Sequence, residues 1–158
     1  MDEKWILRYL KLAKEVGSWS KDPSTKVGAV VVGLDGQILS QGYNGFPRGI
    51  TDHPELLENR EMKYRLTIHA EMNCIYNASL SGVSLKGSSI FVYGLPVCHE
   101  CAKGVIQAGI RSVYCAYDSQ LREKWAESWS YSLSMFNQID MSEIGRAHVL
   151  NSSHGYIS

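Results

Sequence analysis

Long apolar runs are what this chain most plainly lacks. No stretch approaches the roughly 20 apolar residues needed to cross a bilayer, so no membrane partner is expected. Met1 to Lys14 carries both charge signs and no long apolar core, which excludes it as a signal peptide. Net charge is missing too: 16 Lys and Arg balance 16 Asp and Glu. Affinity for nucleic acid comes largely from neutralising phosphates, so this balance argues against such a partner, though it leaves room for a basic pocket that takes one small anion. Cysteine is sparse, with four in 158 residues. A cytoplasmic location is expected, and there thiols stay reduced. The four are therefore read as ligands, nucleophiles or core filler rather than disulfides. Internal repeats are absent.

What is present suits one ordinary globular domain, 44% hydrophobic and 20% charged. Ile6, Tyr9, Leu10, Ala13 and Val16 fall on one stripe and predict a helix over residues 3 to 16. A Val-rich strand, Lys26 to Gly33, turns at Asp35-Gly36 into a second strand, Gln37 to Tyr43. A polar connection without clear periodicity runs from Asn44 to about Arg65. A helix from about His69 to Ser81, a strand from Ser88 to Tyr93 and a helix from Cys98 to Ala108 follow. The order ends with a strand from Ser112 to Ala116 and a helix from Leu121 to Phe136. The unit from Ser88 to Ala116 should be a right-handed parallel crossover, which gives an α/β fold with a mixed sheet and helices on both faces. The domain is expected to span 1–144. Residues 145–158 have no clear period and are expected to be a disordered tail, or foreign to the natural protein.

The chemistry concentrates in His69-Ala70-Glu71 and, further on, Cys98-His99-Glu100-Cys101. Two cysteines at i and i+3 share one side of a helical turn, and a helix N-terminus favours the thiolate that binds metal. His69 completes a Cys₂His set. Three protein ligands leave one tetrahedral position for water, as in catalytic rather than structural zinc sites. Glu71, two residues from His69, can share the site only if the first turn is irregular. A redox Cys-x-x-Cys pair lacks a thioredoxin-like context here. A structural zinc needs a fourth ligand, with His99, Cys74, Cys115 and His53 as candidates, but Cys74 and Cys115 read as core.

His-x-Glu followed by Pro-Cys-x-x-Cys is the signature of zinc nucleobase deaminases. This chain departs from it once, having Pro96-Val97-Cys98 with one residue inserted before the first cysteine. Two further motifs precede it, Ser20-Lys21-Asp22-Pro23-Ser24-Thr25-Lys26-Val27-Gly28-Ala29-Val30 and Gly42-Tyr43-Asn44-Gly45-Phe46-Pro47-Arg48-Gly49. Taken in order with the zinc motif, they make residues 5 to 136 resemble the deoxycytidylate (dCMP) deaminase family. The glycines and proline of these two motifs also read as turn chemistry.

That resemblance implies a three-layer α/β/α, cytidine deaminase-like fold with one catalytic Zn²⁺ per subunit, held by His69, Cys98 and Cys101. It implies a homohexamer that converts dCMP to dUMP and ammonia on the route to thymidylate. Glu71 would carry protons from water to N3 of the base and then to the leaving amine. Asn44 would hold the deoxyribose, though Asn-Gly is also a common turn. Ser24, Thr25 and Lys26 offer donors to the 5′-phosphate, although Lys26 also reads as an ordinary strand-edge lysine. Tyr117 and Asp118 are expected at the pocket wall, because open sheets bind ligands beyond the carboxyl ends of their strands. Regulation by dCTP and dTTP with Mg²⁺ is implied through the loop of Asn44, Gly45, Arg48 and Gly49. The rival readings are a deaminase of another cytosine nucleoside or nucleotide, a tRNA adenosine deaminase, and a non-catalytic zinc-binding domain.

Overall fold

The computed structural model describes residues 1–118, 122–139, 141, 143–144, 148–151 and 155–157. Helix α1, Glu3–Gly17, starts at Asp2, whose carboxylate accepts from the Lys4 amide, and it buries the stripe read from the sequence. Strands β1, Gly28–Val32, and β2, Ile38–Tyr43, form the antiparallel hairpin, with Gly36 at φ 82° in its turn. Two short helices follow, α2, Pro54–Glu58, and α3, Arg60–Leu66. They lie inside the connection that showed no periodicity, because helices of 5 and 7 residues are too short to display an amphipathic repeat. Their ends are set locally, by Pro54 in the first turn of α2 and by Asn59 capping the Met62 amide of α3.

The remaining elements are α4, Ala70–Ser81; β3, Ser89–Gly94; α5, His99–Gln107; β4, Ser112–Asp118; and α6, Arg122–Gln138. The expected start of α6 at Leu121 lies outside the described residues. Strands β5, Glu143–Ile144, β6, His148–Asn151, and β7, Gly155–Ile157, complete the chain. The sheet order is β2-β1-β3-β4-β6-β7, with β5 also pairing with β4. Strand β1 is antiparallel to both neighbours, while β3 and β4 are parallel across α5 as the crossover required. Strands β6 and β7 fall in the stretch expected to lack regular structure. The ladder groups along the Ala116–Asp118 edge of β4 give β6 its partner. Residues 145–147, 152–154 and 158 of that stretch lie outside the described residues.

Alternation along the strands divides the core in two. On one face α1 packs Leu10 and Ala13 against Val30, Val32, Phe91 and Tyr114. On the other, α4, α5 and α6 pack Cys74, Val105 and Phe136 against Val31, Val92 and Cys115. The result is the expected three-layer α/β/α arrangement around a mixed sheet. No helix among the described residues is long and apolar enough to cross a membrane.

One glycine sets the approach of α4 to the sheet. A Cβ at Gly42 would stand 2.5 Å from the Cys74 amide nitrogen and 2.8 Å from the Ala70 carbonyl oxygen. Gly42→Ala is therefore expected to cost about 1–3 kcal/mol by overpacking, read as a lower urea midpoint. An unchanged midpoint would show that α4 can move away from β2 freely.

Candidate metal and catalytic site

Two helix N-termini converge beyond the sheet. His69 caps α4 with extended backbone, φ −68° and ψ 153°, and so lies outside the helical register. That supplies the irregular first turn through which His69 and Glu71 can serve one site. Cys98 caps α5 in the same way, φ −71° and ψ 161°, with its sulfur accepting from the Cys101 amide at 3.4 Å. His69 Nδ1 lies 3.4 Å from the sulfurs of both Cys98 and Cys101. All three ligand atoms fall within 4.8 Å of one another, the one such cluster among the described residues. Tetrahedral zinc, with bonds of about 2.3 Å to sulfur and about 2.0 Å to nitrogen, sets N and S about 3.5 Å apart. The donor set fits zinc.

Electrostatics separates the four groups. The Cys101 thiol donates to Cys98, which brings the Cys98 thiol down to about 4, while the same bond and burial push the Cys101 thiol up. His69 is raised chiefly by its hydrogen bond to Cys98. Glu71 is 3% exposed, and burial raises its carboxyl against a smaller opposing effect from His69. A buried carboxyl pushed up beside a metal cluster is poised to exchange protons.

The other candidate ligands are accounted for elsewhere. Cys74 is buried with its sulfur 3.0 Å from the Ala29 carbonyl oxygen, and burial pushes its thiol well up. Burial raises the Cys115 thiol to about 12. His99 turns its Nδ1 to Ser128, 2.9 Å away, and His53 is exposed at the start of α2.

A cavity of about 420 Å³ opens above the cluster, with His69, Glu71 and Cys98 in its wall. That size holds one small ligand. Ser24, Thr25 and Asn44 line it as the sequence suggested. Asn44 also orders its neighbours, accepting from the Val27 amide and donating to the Thr25 carbonyl, both at 2.9 Å. Lys26 does not line the cavity and is exposed. Tyr117 does not line it either. It shares a face of β4 with Val113 and Cys115 and is buried in the core beneath the helices, and Asp118 is likewise outside the lining. Gly45, Arg48 and Gly49 stand apart from the cavity: Gly45 pairs with Ile68, and the Arg48 guanidinium donates to the Asn77 side chain of α4.

Sequence reasoning missed the cationic walls. Arg60, Lys63 and Tyr64 of α3, with Lys124 and Trp125 of α6, all face the cavity. Lys63 is compensated by buried Asp22, 3.3 Å away, and that carboxylate also accepts from the Ser24 and Thr25 amides. Arg60 and Lys124 have no ion-pair partner among the described residues. The Arg60–Lys63 spacing, one turn apart, was the available signal. Pro96 lines the cavity despite the extra residue, and Val97 turns into the core with none of its surface exposed.

Known proteins agree with this geometry. A family model for the cytidine and deoxycytidylate deaminase zinc-binding region matches residues 3–117. An uncharacterized deaminase of Aliivibrio fischeri is 42% identical over 139 residues, covering 87% of this chain and 90% of its own. The deoxycytidylate deaminase of Mus musculus is 41% identical over 117 residues, 70% of this chain and 63% of its own length. The chain thus spans less than two thirds of that relative. Among solved structures, the dCMP deaminase of cyanophage S-TIM5 in complex with dCMP and dUMP superposes with TM-score 0.70 at 26% identity, covering 91% and 97% of the two chains.

Proposed function

This chain belongs to the cytidine and deoxycytidylate deaminase family, and we propose that it hydrolyses dCMP to dUMP and ammonia. The observation that carries the reading is a buried Glu71 beside the His69–Cys98–Cys101 cluster, in a cavity whose walls hold two cations without an ion-pair partner among the described residues. Bound zinc supplies a Lewis acid that lowers the pKa of water towards about 7. Glu71 accepts a proton from the attacking water and delivers it to N3, which makes C4 electrophilic. The C4–O bond forms, Glu71 takes the second proton from the new C4 hydroxyl and passes it to the amine, and the C4–N bond breaks to release ammonia and leave the C4 carbonyl. The product dUMP is the precursor of thymidylate, which gives the reaction its place.

The monophosphate is supported by Arg60 and Lys124 together with the Ser24 and Thr25 hydroxyls. Charge-assisted hydrogen bonds contribute roughly 1.5–3 kcal/mol each, so two imply a preference for dCMP over deoxycytidine of at least about a hundredfold in kcat/KM. Ammonia release from both substrates measures it. Arg60→Ala and Lys124→Ala should erode the preference, and Lys26→Ala should leave it in place. Equal rates on dCMP and deoxycytidine would refute the phosphate assignment.

Regulation by dCTP and dTTP with Mg²⁺ extends the same reading, as does assembly into a cytoplasmic homohexamer. Its support is the resemblance and the loop geometry: the Gly45 amide and carbonyl pair with Ile68, next to His69, while Asn44 lines the cavity. An effector that moves Gly45 or Arg48 would move both. A sigmoidal dCMP curve that dCTP makes hyperbolic and dTTP depresses is the expected result, with Arg48→Ala blunting both. Hyperbolic kinetics indifferent to both triphosphates would remove the regulatory reading alone.

A further inference from the structure

Val97, between Pro96 and Cys98, is wholly buried. A buried carbonyl needs a donor, and a side chain supplies it here: the Val97 carbonyl accepts from Ser132 Oγ at 2.7 Å. Immediately after Cys98, the His99 amide donates to Ser128 Oγ at 3.0 Å, and the His99 ring pairs with the same oxygen at 2.9 Å. His99 is the first residue of α5, whose amide has no partner within its own helix. The peptide groups on both sides of Cys98 are therefore held by one helix, α6, through serines at i and i+4. Lys124, one turn earlier on the same row, lines the cavity.

We propose that Ser128 and Ser132 are positioning residues for the metal ligand Cys98. The inference rests on the zinc reading above. A loop that presents a ligand sulfur must be held on both sides for that sulfur to keep its place. Ser132 fixes the loop ahead of the ligand and Ser128 fixes it behind. Because Lys124 and Trp125 belong to the same helix, the cavity wall that meets the ligand and the loop that holds the metal are placed by one element.

Zinc affinity by chelator competition, and the absorption spectrum of the cobalt(II)-substituted protein, test this without reference to turnover. Residues that orient metal ligands are worth about 10- to 100-fold in metal affinity. The double variant Ser128→Ala, Ser132→Ala is expected to lose affinity in that range and to shift the cobalt–thiolate bands. Ser128→Thr, which keeps the hydroxyl at a half-buried site, should retain wild-type values. Val16→Ala, a core truncation in α1 on the opposite face, should lower thermal stability and leave both metal readouts unchanged. Should the double variant not fold, Ser128→Ala alone decides, with about a tenfold loss expected. Wild-type affinity and an unshifted spectrum in the folded variants would overturn the inference while the zinc reading stands. A wild type that binds no zinc would overturn both.

Discussion

Glu71→Gln is expected to lower turnover of dCMP by at least about 10² to 10⁴-fold, the range of general acid-base catalysis, while keeping its zinc. The upper end or beyond is expected because Glu71 acts twice in the proposed cycle, on N3 and on the amine. Glutamine preserves shape and accepts hydrogen bonds, but it cannot take up or release the proton. Glu71 is buried, and burial disfavours its charged form, so a neutral isostere removes a desolvation cost and should fold normally. Metal analysis should give the wild-type zinc content, since Glu71 is not among the ligand atoms of the cluster. dCMP should still bind, because Arg60, Lys124, Ser24 and Thr25 are untouched. Rapid-quench turnover with equilibrium binding on the same sample separates the two. A variant that retains a tenth of wild-type turnover would mean that another group moves the proton.

The sequence displayed this centre because its parts are local signals. His69 and Glu71 are two apart, Cys98 and Cys101 three apart, and each pair sits at a helix start that can be read from the residues. Helix α1 was legible for a similar reason, since fifteen residues suffice to show an apolar stripe. The cavity walls were not legible. Arg60 on α3 and Lys124 on α6 line one cavity only once the chain is folded, and no window of sequence contains both. The Asp22–Lys63 pair is a contact across 41 positions. Lys26 and Tyr117 were read into the site and do not line the cavity. Their types and neighbourhood suited a nucleotide site, but the pleat of an extended segment decides which side each faces, and a shift of one residue reverses the answer.

Cys101→Ser is expected to take zinc from about one per chain to nearly none, and deamination with it. His69, Cys98 and Cys101 are the whole ligand set among the described residues, so removing one leaves two protein ligands, where both structural and catalytic zinc sites use three or four. The other cysteine and histidine candidates nearby are engaged elsewhere: the Cys74 sulfur lies against the Ala29 carbonyl and His99 is turned to Ser128. The ion would also join two helices, His69 heading α4 and Cys98 and Cys101 heading α5. Binding to the folded state alone stabilises by about 2.7 kcal/mol at a hundred times Kd, so zinc returned to chelator-treated wild type should raise its Tm and restore activity together. The Cys101→Ser protein should show neither response at the same zinc concentration. Two tightly held zincs in the wild type would imply a second ligand set. None would mean that the cluster is no metal site, and Glu71 would then have no activated water from which to take its proton.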